Sequence, residues 1–421
     1  MDDFERDIWC LLGLPFDAVT MAQAAARVRE AARRRARCFC STANLNFLIA
    51  AQTDPAFRES VIDSDLSLAD GMPIVWLARL LGMPIRERVA GSDLFEALRR
   101  APPRGDRIAP GAALPPQAAC PPGAAHPPGS AHPPAAADTA GAAHPRPLSA
   151  FFFGGPEGAA ELACARLNAD AGAVRCVGWH SPGFVGVEAM SGEDVIAKIN
   201  ASGADFLVVS LGARKGQAWI VRNLPRLEVP VVSHLGAVVN FLAGSVSRAP
   251  QWVQRAGLEW LWRIKEEPAL WWRYARDGLQ LLGLLATRVL PYTVWRWSRR
   301  IGSGAVPEAT ASARLVAATS GDASGRNGEA ADGSCRVALA GALVANNLEP
   351  IRQAFRTAAA RGVDVTVDLA QVTEVDGAFL GLLMLLRKQV HAAGGRRLRI
   401  EGASGAVRRA FWFNAAGYLL E

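Results

Sequence analysis

Apolar positions along this chain fall into short, nearly continuous runs separated by segments of helical spacing. Residues 37–42 read as a short strand, followed by helix to Thr53, where Asp54-Pro55 opens another helix. Leu66-Ser67-Leu68 is a second strand and runs into Asp70-Gly71-Met72-Pro73. Further along, Ala150-Phe151-Phe152-Phe153 is a strand, residues 154–158 a glycine-rich turn, and residues 159–168 a helix. Residues 174–177, 206–210 and 229–233 are three more β-rich runs between helical segments. Strands without a polar face, alternating with helices, predict an α/β fold with a mostly parallel sheet covered on both sides. Ligands of such sheets bind beyond the carboxyl ends of the strands. That rule gathers Thr42, Asn44, Asp70, Gly154, Gly212 and His234 near one edge.

The pattern divides the chain into parts. Residues 1–245 form the α/β core, interrupted at 102–147 by a Pro/Ala/Gly-rich insert that repeats Ala-His-Pro-Pro. So little apolar side chain cannot offset the entropy of ordering, so the insert is expected to be disordered. Residues 246–300 form an appendage whose second half is apolar helix, but its longest clean run, 281–287, stops at Arg288. About twenty apolar residues are needed to span a bilayer, so this helix is expected to lie on a surface. Residues 303–334 read as a flexible Ser/Ala/Gly/Asp-rich linker, and a separate small αβ domain follows at 335–421. A chain ended after Ser303 is therefore expected to keep the properties of the core and the appendage.

Charge sharpens the view of the appendage. Of the net +7, a balance of +6 lies in residues 246–300 (ten Arg and Lys against four Asp and Glu). Seven of the twelve Trp lie there too: Trp252, Trp260, Trp262, Trp271, Trp272, Trp295 and Trp297. Arg beside Trp fits an anionic membrane surface or a nucleic acid. Composition by itself favours helices that pack Trp inward and leave Arg in water. The small charge excess elsewhere argues against nucleic acid. The acidic start lacks the basic and apolar regions of a signal peptide. The seven scattered cysteines show no two-residue metal or redox spacing and read as reduced and structural, which implies a cytoplasmic protein. No Walker loop, His-Glu-x-x-His or strand-end Asp-x-Asp is present, so neither a metal nor a cofactor is indicated. The turn after Phe153 and the Asp70-Gly71 pair are each, taken alone, ordinary turns.

Taken together, the short motifs resemble a family. Thr42-Ala43-Asn44, Asp54-Pro55, Ala69-Asp70-Gly71 and Arg88-Val89-Ala90-Gly91-Ser92-Asp93-Leu94 are similar to successive signatures of the WecG/TagA/CpsF glycosyltransferases (glycosyltransferase family 26). Ser181-Pro182-Gly183-Phe184, Leu211-Gly212-Ala213, Arg248-Ala249-Pro250, Gly257-Leu258-Glu259-Trp260-Leu261-Trp262-Arg263 and Glu267-Pro268 continue the match in order. The resemblance implies a Rossmann-like core, a UDP-sugar donor, a polyprenyl-diphosphate-linked sugar acceptor and a basic appendage that docks on the membrane and closes over the site. The transferred sugar would be N-acetylmannosamine or a relative, in cell-surface or exopolysaccharide synthesis on the inner face of the membrane. Residue by residue, Asp70 matches the general base, Thr42 and Asn44 match polar site residues, and Arg88 matches a basic residue facing the diphosphate. Arg263 and Arg273, in the appendage, are phosphate contacts or surface residues. The family commonly has Pro-Lys-Gln-Glu where this chain has Arg214-Lys215-Gly216-Gln217. Gly216 thus replaces a site Gln, whose role either passes to Gln217 or is lost.

The chemistry implied is a metal-independent, inverting single displacement. A carboxylate takes the proton of the attacking hydroxyl, while Arg side chains and helix N-termini meet the charge on the departing UDP. Residues 363–369, followed by Val372-Thr373-Glu374-Val375-Asp376-Gly377 and a helix through Val390, resemble a STAS domain. Gly377 stands where that family often carries a phosphorylated Ser, so no phospho-switch operates there. What remains is regulation through a protein partner, or a structural addition. A non-catalytic membrane adaptor built on a degenerate transferase fold is the alternative to an enzyme, and the altered 214–217 loop is the feature that favours it.

Overall fold

The computed structural model of the chain describes residues 2–100, 146–170, 172–250, 252–253, 257–302, 311–317 and 334–421. It opens with a hairpin, β1 (Ile8–Leu11) and β2 (Leu14–Asp17), and helix α1 (Met21–Arg34), which Thr20 and Gln23 start with a reciprocal capping box. β3 (Cys38–Ala43) passes through Asn44 into α2 (Leu45–Thr53), and Asp54 caps α3 (Pro55–Ile62). β4 (Leu66–Ala69) passes through Asp70-Gly71 into α4 (Met72–Leu80), and α5 (Gly91–Arg99) follows. β5 (Leu148–Gly154), α6 (Ala159–Ala169), β6 (Val174–His180) and α7 (Glu193–Ala201) come next. β7 (Phe206–Ser210), α8 (Ala213–Asn223), β8 (Val231–His234) and α9 (Val238–Ala243) complete the core.

Six of these strands form one parallel sheet in the order β4-β3-β8-β7-β5-β6. Every residue of β3, β4, β7 and β8 is buried, which is why these strands read as unbroken apolar runs. Side chains alternate between two cores: Phe152 and Phe206 face one, Phe151, Phe153 and Leu207 the other. The expected α/β class and the strand positions agree with this sheet.

The insert expected at 102–147 lies outside the described residues, except at its end. There Arg146 holds both carboxylate oxygens of Asp205, at 2.7 and 2.9 Å. The two flanks of the insert meet at one residue, since Ala173 donates to the Arg99 carbonyl (2.8 Å) and accepts from the Leu148 amide (2.9 Å). Replacing residues 103–145 by a short Gly-Ser link is therefore expected to leave the melting temperature and transfer activity near those of the parent. A large loss of either would show that the insert packs on the fold.

Two cysteines depart from the expectation of seven reduced thiols. Cys164 on α6 and Cys176 on β6 form a disulfide, their Cα atoms 5.2 Å apart where helix and edge strand pack together. Cys10, Cys38, Cys40 and Cys335 are buried and free.

The appendage consists of α10 (Glu259–Glu266), α11 (Trp271–Leu284), a single π-turn over residues 285–289, and α12 (Leu290–Gly302). From 271 to 302 the helix is unbroken. No described helix is long and apolar enough to cross a membrane. Trp252, Trp260, Trp271, Trp272 and Trp297 are exposed, so the appendage does not bury its Trp as a set.

The C-terminal part contains β9 (Ser312–Ala317), β10 (Cys335–Leu343), α13 (Glu349–Ala360), β11 (Val365–Val375), α14 (Gly377–Ala392), β12 (Leu398–Glu401) and α15 (Gly405–Phe413). Its sheet runs β12-β11-β10-β9. β9 corrects the reading of 303–334 as linker throughout, because residues 312–317 pair antiparallel with β10. Nor is this part held at a distance. Twelve of the sixteen residues of α14 are buried, and Phe4, Ile8, Cys10 and Ile62 share one core with Leu382, Met384 and Phe411.

Candidate active site

Of the cavities at the carboxyl edge of the parallel sheet, two meet at Asp70. The larger, about 890 Å³, lies over the ends of β5, β7 and β8, and its lining includes Gly155, Ser181, Gly212, Lys215 and His234. The smaller, about 400 Å³, lies between α4 and the appendage and is walled by Met72, Trp76, Phe241, Trp260 and Leu281. Thr42, Asn44, Asn46, Asp70, Arg263 and Arg273 line both.

Each of these side chains is placed by the element that carries it. Asn44 caps α2 by accepting from the Phe47 amide at 3.2 Å, which fixes it at the mouth of β3. Thr42 Oγ1 donates to the His234 carbonyl at 3.2 Å, tying the ends of β3 and β8 together. Asp70 follows β4; its amide donates to the Ala43 carbonyl (2.9 Å), and its Oδ2 accepts from the Gly91 amide at 3.4 Å. Burial pushes the Asp70 carboxyl up to about 6, against the opposing pull of Arg88, the Gly91 amide and Arg263, with Glu259 adding to the rise. A carboxyl in that range accepts a proton near neutral pH more readily than an exposed one.

The sequence-derived candidates sit at different depths. Arg88 lines the smaller cavity, but its guanidinium is bound by Asp93 and Glu259, and Arg248 shares Asp93. Arg263 is loosely paired with Glu267 at 3.7 Å, and Arg273 lies on the exposed side of the shared lining. Gln217 is not brought to the cleft. It is fully buried on the inner face of α8, where its Nε2 donates to Ser41 Oγ at 2.9 Å, and it lines neither cavity. Gly216 explains why this helix sits so close: a β-carbon there would lie 2.3 Å from His234 Cδ2.

Residues to which the resemblance assigns no role complete the lining. Asn46 donates to the buried Asp277 at 3.1 Å, joining α2 to α11 across the cleft. His234 is held below its ordinary range by burial and faces the Leu211 carbonyl through Nε2 at 2.6 Å, so it is a neutral donor at neutral pH. Lys215 lines the larger cavity at the start of α8, whose N-cap Gly212 lines it too. Asn46 lies within the helix that Asn44 caps, and its place in the lining of both cavities and its hydrogen bond to Asp277, 231 residues away, reveal it as a site residue. Among the described residues no group of three or more His, Cys, Asp or Glu is placed to hold a metal ion.

Comparison with known proteins adds to this geometry. Residues 9–111 and 131–293 match the glycosyl transferase WecG/TagA/CpsF family, and residues 328–415 match the Mlab, STAS domain family. The gap between the first two stretches falls inside the Pro/Ala/Gly-rich insert. One relative is the N-acetylglucosaminyldiphosphoundecaprenol N-acetyl-beta-D-mannosaminyltransferase of Bacillus spizizenii, 26% identical over 235 residues, covering 56% of this chain and 74% of the relative. The protein of the same name from Staphylococcus aureus is 22% identical over 278 residues, covering 63% of this chain and 91% of the relative.

Proposed function

Because the chain belongs to the WecG/TagA/CpsF glycosyl transferase family, we propose that it transfers an N-acetylmannosamine-type sugar from a UDP-sugar to a polyprenyl-diphosphate-linked sugar, with Asp70 as general base. The observation that carries this reading is the position of Asp70 where the two cavities meet. The larger, polar one suits the nucleotide sugar. Its diphosphate would lie against Lys215 and the N-terminus of α8, where helix amides and the dipole favour negative charge. The smaller cavity, walled by Trp76, Trp260 and Leu281, suits the acceptor sugar and the start of its lipid. Arg263 and Arg273, common to both, meet the charge that develops on the departing UDP. Attack from the acceptor side on an anomeric carbon held from the donor side is a single displacement and inverts that centre.

The test is UDP release from UDP-N-acetylmannosamine in the presence of EDTA, with and without a short-chain polyprenyl diphosphate N-acetylglucosamine. Release that depends on the acceptor supports the reading, and no release from this or other UDP-sugars would favour the adaptor. The 214–217 loop gives the adaptor less support than its sequence suggested, because it forms the regular first turn of α8 beside the larger cavity.

The appendage supplies the membrane contact in this reading. Trp272, Leu279, Leu282, Leu290, Val294 and Trp297 are exposed at spacings that put them along one side of the 271–302 helix, with Trp272 79% and Trp297 66% exposed. Arginines among them suit an anionic surface. Changing Trp272, Leu282 and Trp297 together to Ser removes about 3 kcal/mol of interfacial burial, roughly 100-fold in partition. Co-sedimentation with phosphatidylglycerol-rich vesicles is expected to drop accordingly, while the melting temperature holds because none of the three is core. Binding of the parent chain is expected to weaken in high salt without vanishing. A triple variant that sediments like the parent would remove this face from the membrane contact.

A further inference from the structure

The 271–302 helix has two ends with different surroundings. Near its start, Arg273, Tyr274 and Asp277 line the smaller cavity. At the end of the π-turn and beyond it, Val289 and Tyr292 are buried in a cluster built mostly by the transferase core, Phe16, Leu77 and Leu81 among them, which Phe413 of the STAS domain joins. Arg288 lies over the Trp412 ring, its Cζ 3.8 Å from the centroid, and donates to the Trp412 carbonyl. Tyr292 and Trp295 pack on Phe413 with ring centroids 5.7 and 5.9 Å apart. Trp412 and Phe413 end α15. On the core side Arg296 donates to the Leu81 carbonyl at 3.0 Å.

We infer that the STAS domain is an internal brace for catalysis: through Trp412 and Phe413 it sets the direction of the appendage helix, and so places Arg273 and Tyr274 against the acceptor. The inference rests on the reading of the appendage as part of the acceptor site. A continuous helix transmits direction. Arg273 and Arg288 are fifteen residues apart, about 22 Å of helix at 1.5 Å per residue. A swing of about 10° at the clamp would move Arg273 by about 4 Å, far beyond the tolerance of a reacting geometry, where even 1 Å can cost roughly 100-fold. Near the cavity the helix is held by the bond from Asn46 to Asp277 and by Leu281 and Leu284, which pack on the transferase core, and the clamp at the far end resists a swing about that contact. Trp412 is thus a positioning residue that touches no substrate.

The experiment uses the full chain and four variants: Trp412→Ala, Trp412→Phe, Arg288→Ala and Arg263→Ala. Trp412 is about half exposed (48%), so its removal leaves the core intact. With the short-chain acceptor, Trp412→Ala and Arg288→Ala are expected to raise the acceptor KM about ten-fold while UDP affinity stays within about two-fold. Trp412→Phe keeps a ring face under the guanidinium and is expected to recover most of the loss. Arg263→Ala, in the shared lining, separates the two layers of the inference. If it impairs acceptor use and Trp412→Ala does not, the brace is wrong and the reading of the appendage stands. If neither has an effect, that reading fails and the brace fails with it. A Trp412→Ala protein that loses UDP affinity and acceptor use in equal measure, without recovery in Trp412→Phe, would mark a merely structural role and overturn the brace.

Discussion

Replacing Asp70 by Asn is expected to lower kcat by about 10²–10⁴-fold while leaving the fold and UDP binding near those of the parent. The amide matches the carboxyl in size and keeps an oxygen to accept from the Gly91 amide. What it loses is the ability to take a proton from the attacking hydroxyl. The raised pKa makes a second, independent statement. A carboxyl that reaches only about 6 because of burial is protonated below that pH and competent above it. The parent's kcat/KM is therefore expected to rise about ten-fold per pH unit below 6 and to level off above 7. The linkage to stability has the opposite sign: with its folded pKa above the unfolded one, ionised Asp70 costs the fold stability as pH rises past the unfolded value. The neutral Asn is accordingly expected to leave stability at pH 8 unchanged or raised by up to about 2 kcal/mol, discounted for the water in the cavity. A variant within a few-fold of parent activity, or a parent profile flat from pH 5 to 8, would remove Asp70 from the role of base.

The sequence made some of this legible for a physical reason. Parallel strands buried on both faces must be apolar throughout, so β3, β4, β7 and β8 announce themselves as runs, and the polar residues that end them, Thr42, Asn44, Asp70 and His234, are thereby set on one edge. Gln217 departs from its expected place because residues 214–217 belong to a helix and not to a loop. On a helix beginning at Ala213 it shares an inward face with Gly216, Trp219, Ile220 and Asn223, and the apolar pair at 219 and 220 marks that face. The link between Cys164 and Cys176 depends on helix-to-strand packing and carries no spacing signal. β9 is hidden because its six residues lie in surroundings of linker composition and become a strand only by pairing with β10.

The attachment of the STAS domain leaves a mark in the sequence as well. Leu380 to Leu386 is apolar around the whole circumference of α14, and a small domain standing alone would have exposed one side of it to water. The structure covers that side with β1 and the residues before it, so the last domain of the chain completes the packing of its first strand. Which element covers that side is not visible from residues 335–421 read on their own.

Ending the chain after Ser303 is therefore expected to yield an aggregating protein without a cooperative melting transition, not the active core that the sequence suggests. Such a chain would lack close packing and several buried polar links at once. A β-carbon on Gly381 would lie 2.7 Å from the Ile8 carbonyl oxygen, so α14 rides directly on the backbone of β1. Lys388 reaches Asp65 at 2.6 Å, Asp3 at 2.9 Å and the Ser64 carbonyl at 3.3 Å. Arg352 donates to the Phe4 and Arg6 carbonyls at 2.7 and 2.9 Å, and Tyr418 to the Gly13 carbonyl at 3.0 Å. Without them Phe4, Ile8, Cys10 and Ile62 face water, at about 1.5–3 kcal/mol for each large apolar side chain. Domains are typically stable by about 5–15 kcal/mol, so these losses together consume most of it. Lys388→Ala in the full chain is the graded version and is expected to lower the melting temperature clearly without changing the acceptor KM at temperatures where the protein is folded. The measurement is size-exclusion chromatography and a melting curve on the shortened chain, beside transfer by the soluble fraction. A monomeric, cooperatively melting and active product would show that the transferase core needs neither the shared packing nor the brace.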